Sequence, residues 1–364
     1  MRYYLDYNAS APMDERVKNY IKEIIDMYGN PSSVHTKGRK LKNLLEISRQ
    51  RIGLLMNCDP KNIIFTSGAT EANNLALNGY KKKIVSSIEH ESIKKQKHTL
   101  SIAVKKEGYI DLDMLENVLK SINKKEKVIV SVMFANNETG IIQPIEKIAR
   151  ITKKYQVPFH TDGVQAVGRL RINFLELGID MITISSHKIG GPSGAGALIV
   201  ASKKQILEPL LYGGEQEDSL RSGTEPLLAI AGFGKAAKLL NIKKIEKLKA
   251  LRIAFEKKLK KANLGIQIIG ENSNRLPNTI MMYTPGIKAE DLLIALDLEG
   301  FDVSTGSACS SGKAEPSSVL KSMGYSKLVA TRVIRISLGL YNDIGEADIL
   351  VNALEKILKR FERT

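Results

Sequence analysis

The chain has no tryptophan and only two cysteines, Cys58 and Cys309, in 364 residues. Two thiols cannot staple a chain of this length, so the sequence predicts a core-stabilised fold in a reducing compartment, with the cytoplasm as its location. Aromatic residues are 5% of the total, and the arginine-rich aromatic platforms on which single-stranded nucleic acids stack are missing. No apolar run approaches the ~18 residues of a membrane span, so no membrane is expected among the partners. The opening Met1-Arg2-Tyr3-Tyr4-Leu5-Asp6 lacks the apolar core of a secretory signal. Repeats, low-complexity tracts and proline-rich linkers are absent too, which predicts globular domains sharing an interface.

The charge balance, by contrast, is lopsided. A formal charge of +16 comes from 55 basic and 39 acidic residues, an excess that draws acidic or phosphate-bearing partners. Its distribution argues against a dedicated nucleic-acid site. The lysines are spread through Lys81-Lys82-Lys83, Lys94-Lys95, Lys105-Lys106, Lys124-Lys125 and the amphipathic stretch Lys243 to Lys261, on faces that helices and loops turn to solvent. Acidic proteins or transfer RNA are the lesser reading.

Val17, Ile21, Ile24 and Tyr28 recur at helical spacing, as do Leu41, Leu44, Leu45, Ser48, Ile52 and Leu55, so two helices open the chain. Short β-type runs follow at Ile63 to Thr66, Ile84 to Ser87, Val128 to Met133, Val157 to His160, Met181 to Ser185 and Ala197 to Val200. Their alternation with helical or loop segments predicts an α/β fold, a largely parallel sheet covered on both faces. Ligands of such a sheet gather at the carboxyl ends of its strands. One long helix comes next, with Leu239, Ile242, Ile245, Leu248, Phe255 and Leu259 on one side and lysines on the other. The domain boundary is placed inside it, giving a large domain over 15–250 and a smaller α+β domain from 1–14 and 251–364. The smaller one is built on strands Thr279 to Tyr283, Phe301 to Val303 and Val333 to Leu338, with helices Ala289 to Leu298 and Ile344 to Phe361.

Chemistry-bearing residues cluster at the predicted strand ends. Thr66-Ser67-Gly68-Ala69-Thr70-Glu71 joins a strand to a helix. Its small residues let backbone N–H groups approach a phosphate and Thr70 adds a hydroxyl, although a plain N-capped turn reads the same way. Asp162 ends Val157-Pro158-Phe159-His160-Thr161-Asp162, with Gln165 three residues on; its carboxylate can pair with a protonated ring nitrogen or cap the next helix. Lys188, in Ser185-Ser186-His187-Lys188, is either a surface lysine or an amine kept neutral by burial for Schiff-base chemistry, with Ser185 and His187 facing a phosphate. His90 can stack on a ring and relay protons or be structural, and Asn137 is a side-chain donor suited to a ring hydroxyl. Cys309 lies in Ser304-Thr305-Gly306-Ser307-Ala308-Cys309-Ser310-Ser311-Gly312, among Ser and Gly rather than apolar neighbours, as in a loop that reaches solvent. Cys58, just before Ile63-Ile64-Phe65, reads as a small hydrophobe. Phosphate, ring-face, ring-nitrogen and Schiff-base partners in that order suit pyridoxal phosphate delivering substrate to a thiol. No metal site is expected.

The motifs Tyr4-Leu5-Asp6-Tyr7, Gly29-Asn30-Pro31-Ser32-Ser33, Thr66 to Glu71, Asn136-Asn137-Glu138, Ser185 to Lys188, Arg221-Ser222-Gly223-Thr224, Gly306 to Cys309 and Arg335-Ile336-Ser337-Leu338-Gly339 span nearly the whole chain. Through them the sequence resembles the NifS/IscS-type cysteine desulfurases, fold-type I pyridoxal-phosphate enzymes of the class V aminotransferase family. The resemblance implies a cofactor site formed by Ala69, Thr70, His90, Asn137, Asp162, Gln165, Ser185, His187 and Lys188. It implies a homodimer in which Thr224 of one subunit reaches the phosphate held by the other. It also assigns Arg335, assisted by Asn30, to the substrate carboxylate, where a fork of N–H donors matches two oxygens; a structural salt bridge is the alternative for Arg335. The implied reaction converts L-cysteine to L-alanine, with Lys188 and His90 carrying protons and Cys309 taking the sulfur as a persulfide for an acceptor protein. That acceptor is an iron–sulfur scaffold or a thiolation enzyme. Gly306 and Gly312 suit a loop that swings.

Two departures from the family pattern stand out. Gly190 occupies a position where many relatives carry an aromatic residue, and the sequence ends at Thr364, soon after the final predicted helix. Relatives that dock an iron–sulfur scaffold through an extended tail have more sequence there, so the second puts such docking in question and gives weight to transfer-RNA thiolation or another sulfur-accepting pathway. Rival readings are a selenocysteine lyase or another Cβ-eliminating pyridoxal enzyme, a sulfur-relay adaptor without activity, and a basic RNA-associated protein.

Overall fold

The computed structural model describes residues 1–123, 125–202, 207–241, 243–306 and 315–361. In chain order its strands are β1 (Tyr3–Tyr4), β2 (Ile63–Thr66), β3 (Lys82–Ser86), β4 (Thr99–Ile102), β5 (Val128–Ser131), β6 (Phe159–Asp162) and β7 (Met181–Ser185). They continue with β8 (Gly196–Val200), β9 (Gln267–Ile268), β10 (Thr279–Tyr283), β11 (Phe301–Asp302), β12 (Ser304–Thr305) and β13 (Val333–Ser337). A seven-stranded sheet runs β2-β8-β7-β6-β5-β3-β4 among the described residues. Its strands point one way except β8, which is antiparallel to both β2 and β7. All residues of β2, β5, β6 and β7 are buried, as expected for a mainly parallel sheet covered on both faces. The α/β fold class is as the alternation predicts.

A second, antiparallel sheet runs β12-β13-β10-β9, and β1 pairs in parallel with β11. Two main cores result. One gathers Ile63, Val130, Phe159, Ile184 and Phe233 around the large sheet. The other gathers Leu5, Phe255, Leu292, Phe301, Ile336 and Leu354 around the small one.

The helices show where periodicity misleads. Val17 and Ile24 are buried in helix Glu15–Ile24, but that helix stops before Tyr28, which is 70% exposed. The single long helix expected across Leu239 to Leu259 is two, Leu227–Leu239 and Lys243–Lys261. Leu240 breaks it with an extended backbone, φ −61° and ψ 131°. The stripe on the first helix packs on the large core and Leu248, Phe255 and Leu259 pack on the small one, and a straight helix cannot serve both. Cys58 packs against the large core with its thiol pushed up to about 12, mainly by burial, in keeping with a small hydrophobe.

Candidate active site

β2, β3, β5, β6 and β7 all end at one edge of the large sheet, because β8 alone reverses direction. The turns leaving those ends wall a cleft of about 500 Å³. Ala69, Thr70, His90, Asn137, Asp162, Gln165, His187, Lys188 and Arg335 all line it.

The turn after β2 forms the anion cup. Gly68 caps helix Ala69–Leu77 with an extended backbone and no side-chain cap, so the first-turn N–H groups face the cleft without an intrahelical partner. Ser67 N donates to Glu71 Oε2 at 2.9 Å, and Arg221 Nε holds the other carboxylate oxygen at 2.9 Å. The cup is pressed onto the sheet at Gly196, where a Cβ would stand 2.7 Å from the Gly68 carbonyl carbon.

Asp162 is buried, 7% exposed, with both carboxylate oxygens accepting hydrogen bonds. Oδ1 accepts from Val164 N at 3.0 Å, as a turn cap does, and Oδ2 accepts from Asn73 Nδ2 at 2.8 Å. His90 Nδ1 accepts from Ser92 N at 3.2 Å; a backbone N–H can only donate, so the neutral ring carries its proton on Nε2. Ser185 Oγ lies 3.0 Å from His187 Nδ1. Burial first, then the Lys188 and Arg169 cations, push His187 down to about 4, which keeps it neutral at physiological pH. The Asn137 side-chain amide makes no hydrogen bond among the described residues, while its carbonyl accepts from Arg335 NH1 at 3.0 Å. Arg335 NH2 is held at 2.6 Å by Asp6 Oδ1, and its buried Nε has no partner among the described residues.

Lys188 ends the short turn Ser186–Lys188 after β7. Its Nζ donates to the carbonyls of Asn8 at 2.5 Å and Ala9 at 2.8 Å. Gln165 Nε2 donates to the same Asn8 carbonyl at 3.1 Å. Cys309 lies outside the described residues; Gly306, the last described before it, lines the cleft. Asn30 and Thr224 are exposed and stand outside the lining, Asn30 Oδ1 accepting from Ser32 N at 2.9 Å.

The aminotransferase class-V family profile matches residues 3–350. The chain belongs to this family. Within it the chain is 39% identical to the cysteine desulfurase IscS of Dictyoglomus turgidum, over 98% of this chain and 94% of that protein. It is 38% identical to the mitochondrial cysteine desulfurase of Saccharomyces cerevisiae, over 98% of this chain and 75% of that protein. The NifS-like protein from Rickettsia africae superposes with a TM-score of 0.92 at 40% identity, covering 99% of this chain and all of that one. SspA in complex with cysteine superposes with a TM-score of 0.80 at 30% identity, covering 94% of this chain and 100% of that one.

In this class-V site five residues escape sequence reasoning. Asn73 lies on the helix after the cup. Glu89, fully buried beside His90, accepts from Met133 N at 2.8 Å through Oε1. Glu138 Oε2 accepts from Ser317 Oγ at 2.5 Å. Asn8 Nδ2 spans Asn137 O at 3.1 Å and Thr279 Oγ1 at 2.9 Å. Arg169 is buried, and its hydrogen-bond partners among the described residues are all carbonyl oxygens. Glu138 lies in a motif and Glu89 and Asn8 adjoin motif residues, a usable signal; Asn73 and Arg169 carry none.

Proposed function

We propose that this class-V chain is a pyridoxal-phosphate-dependent cysteine desulfurase, converting L-cysteine to L-alanine and passing the sulfur through Cys309 to an acceptor. The observation that carries this reading is the shared cleft. Lys188, Asp162, His90 and Arg335 meet there, with Gly306 in its wall three residues before Cys309.

The residues fit the cofactor. An uncapped helix start suits a phosphate, with His187 and Ser185 beside it. Asp162 suits a protonated ring nitrogen, Asn137 has an uncommitted amide for a ring oxygen, and Lys188 supplies the amine. Gln165 stands nearby with its amide nitrogen tied to the Asn8 carbonyl. When bound, the cofactor draws electrons from the substrate's carbon skeleton, which loosens the Cα proton and opens the sulfur to attack.

The protein's own groups do the rest. Arg335 binds the substrate carboxylate, its fork oriented by Asp6 and the Asn137 carbonyl. Lys188 and His90 Nε2 carry protons at Cα and its neighbours. The Cys309 thiolate attacks the substrate sulfur: an S–S bond forms, the Cβ–S bond breaks, and the remaining carbon skeleton leaves as alanine. A thiol of pKa ~8.5 is only a few per cent ionised at neutral pH, so the attack gains from any nearby proton acceptor. The protein works as a homodimer in the cytoplasm, with Thr224 of each subunit serving the other's phosphate. An iron–sulfur scaffold or a thiolation enzyme accepts the sulfur.

The test is an absorbance spectrum of the purified protein before and after L-cysteine, with alanine and sulfide followed under a reductant. A visible cofactor band that shifts on cysteine addition, with alanine and sulfide in equal amounts, is expected. A band without turnover sinks the desulfurase reading, and no band sinks the cofactor as well.

A further inference from the structure

Lys188 has an unusual seat. Its Nζ is met by two main-chain carbonyls, Asn8 O at 2.5 Å and Ala9 O at 2.8 Å, both from the N-terminal arm. A carbonyl pair at that spacing is a berth for an ammonium group, and it works only while the arm is fixed to a fraction of an ångström. On the small-sheet side the arm is fixed by Tyr7 N to Ser337 O at 3.2 Å and Asn8 N to Ser337 Oγ at 2.9 Å. The large-sheet side relies on Arg169. Its NH2 donates to Tyr7 O at 3.0 Å, and its NH1 to Gln165 O at 2.9 Å and Gln165 Oε1 at 2.6 Å. Gln165 in turn donates to Asn8 O at 3.1 Å, the carbonyl that also meets Lys188.

Arg169 is 5% exposed and, among the described residues, none of its hydrogen-bond partners is a carboxylate. Burying a guanidinium on carbonyls alone costs more than a salt bridge or a neutral side chain would. The cost is visible in its ionisation: burial, then the Arg335 charge, lower it to about 9. A planar fork is the one side-chain shape that can brace Tyr7 O and Gln165 together; a lysine offers a single point.

We propose that Arg169 is a positioning residue for Lys188: it braces the Tyr7 to Ala9 backbone so that the Asn8 and Ala9 carbonyls hold the lysine's ammonium whenever that amine is not attached to the cofactor. The inference rests on the reading of Lys188 as the attachment residue. It adds a reason for the buried, carboxylate-free arginine and for the arm's passage behind the cleft.

The test is trace labelling of amines with acetic anhydride on the full-length protein, with Lys188 read by peptide mass spectrometry against exposed Lys40 of the same chain. It is run with pyridoxal phosphate bound and after stripping it with hydroxylamine, on the parent, Arg169→Lys and Arg169→Met. Stripped samples are used where added pyridoxal phosphate restores the parent spectrum. Arg169→Lys keeps the charge and loses the fork, so Lys188 of its stripped form should label roughly tenfold faster than in the stripped parent, the size of one lost charge-assisted hydrogen bond. Equal labelling in the variants and the parent overturns the inference. So does a stripped parent whose Lys188 labels as fast as Lys40, a comparison that needs no variant to fold. Lys188 that labels equally with and without the cofactor overturns the underlying attachment reading instead, so the two failures differ.

Discussion

Glu89 and Glu138 sit beside the cleft with their carboxyls pushed up, mainly by burial, to about 8 and about 7. The unfolded chain gives up those protons near 4.5, so below that pH neither group opposes folding. As pH climbs from there through about 8 the unfolded state is favoured and stability is lost. Glu89→Gln removes one carboxyl while keeping its shape, so the variant should gain on the parent in melting midpoint as pH rises from 5 to about 8 and hold that lead above it. Parallel curves would show that Glu89 ionises in the fold as easily as in water. Cys309→Ala should keep the visible band of bound cofactor and its response to cysteine, yet release no sulfide. Sustained sulfide release by that variant removes Cys309 from the reaction. The residues that sequence could name, Lys188, Asp162 and His90, are those with a chemical identity that stands out at a strand end. Arg169 escaped because its contribution is a set of contacts with carbonyls, that of Tyr7 far along the chain, and no local pattern encodes it.

Between the cup and the sheet, the contact of Gly196 with Gly68 leaves no room for a methyl group, since a Cβ would meet two Gly68 backbone atoms at 2.7 and 2.8 Å. Gly196→Ala should push the cup off β8, costing about 1–3 kcal/mol as overpacking does, and should release pyridoxal phosphate faster on dialysis. Retention equal to the parent's would show that the cup binds independently of its distance from the sheet. Strands were legible where burial was complete or nearly so: Ile63–Thr66, Met181–Ser185 and Thr279–Tyr283, of which only Tyr283 is half-buried, are the apolar runs themselves. β4 was not, because Thr99, Leu100 and Ser101 lie at the sheet's edge, half-buried or exposed, and only Ile102 marks the core. The break at Leu240 was hidden for a different reason, since both helices present apolar stripes in the same phase and only the position of two cores separates them.

At the scale of the whole molecule, a single chain leaves Thr224 outside its own cleft. If each site borrows Thr224 from a second copy, Lys188→Ala and Thr224→Asp homodimers should both be inactive. Mixed dimers should regain one working site, combining the intact Lys188 of one chain with the intact Thr224 of the other. Mixtures as inactive as the separate variants would place Thr224 in service of its own subunit. The N-terminal arm has a consequence in time as well. Tyr3 and Tyr4 pair with Phe301 and Asp302, and Tyr7 and Asn8 are held by Ser337. The segment from Tyr3 to Asn8 must therefore wait for the chain through Ser337 before it can settle, a long loop closure that slows folding. The lysine's seat thus forms only after the chain has been made through Ser337, and a nascent chain short of that point cannot trap the cofactor in a half-built site.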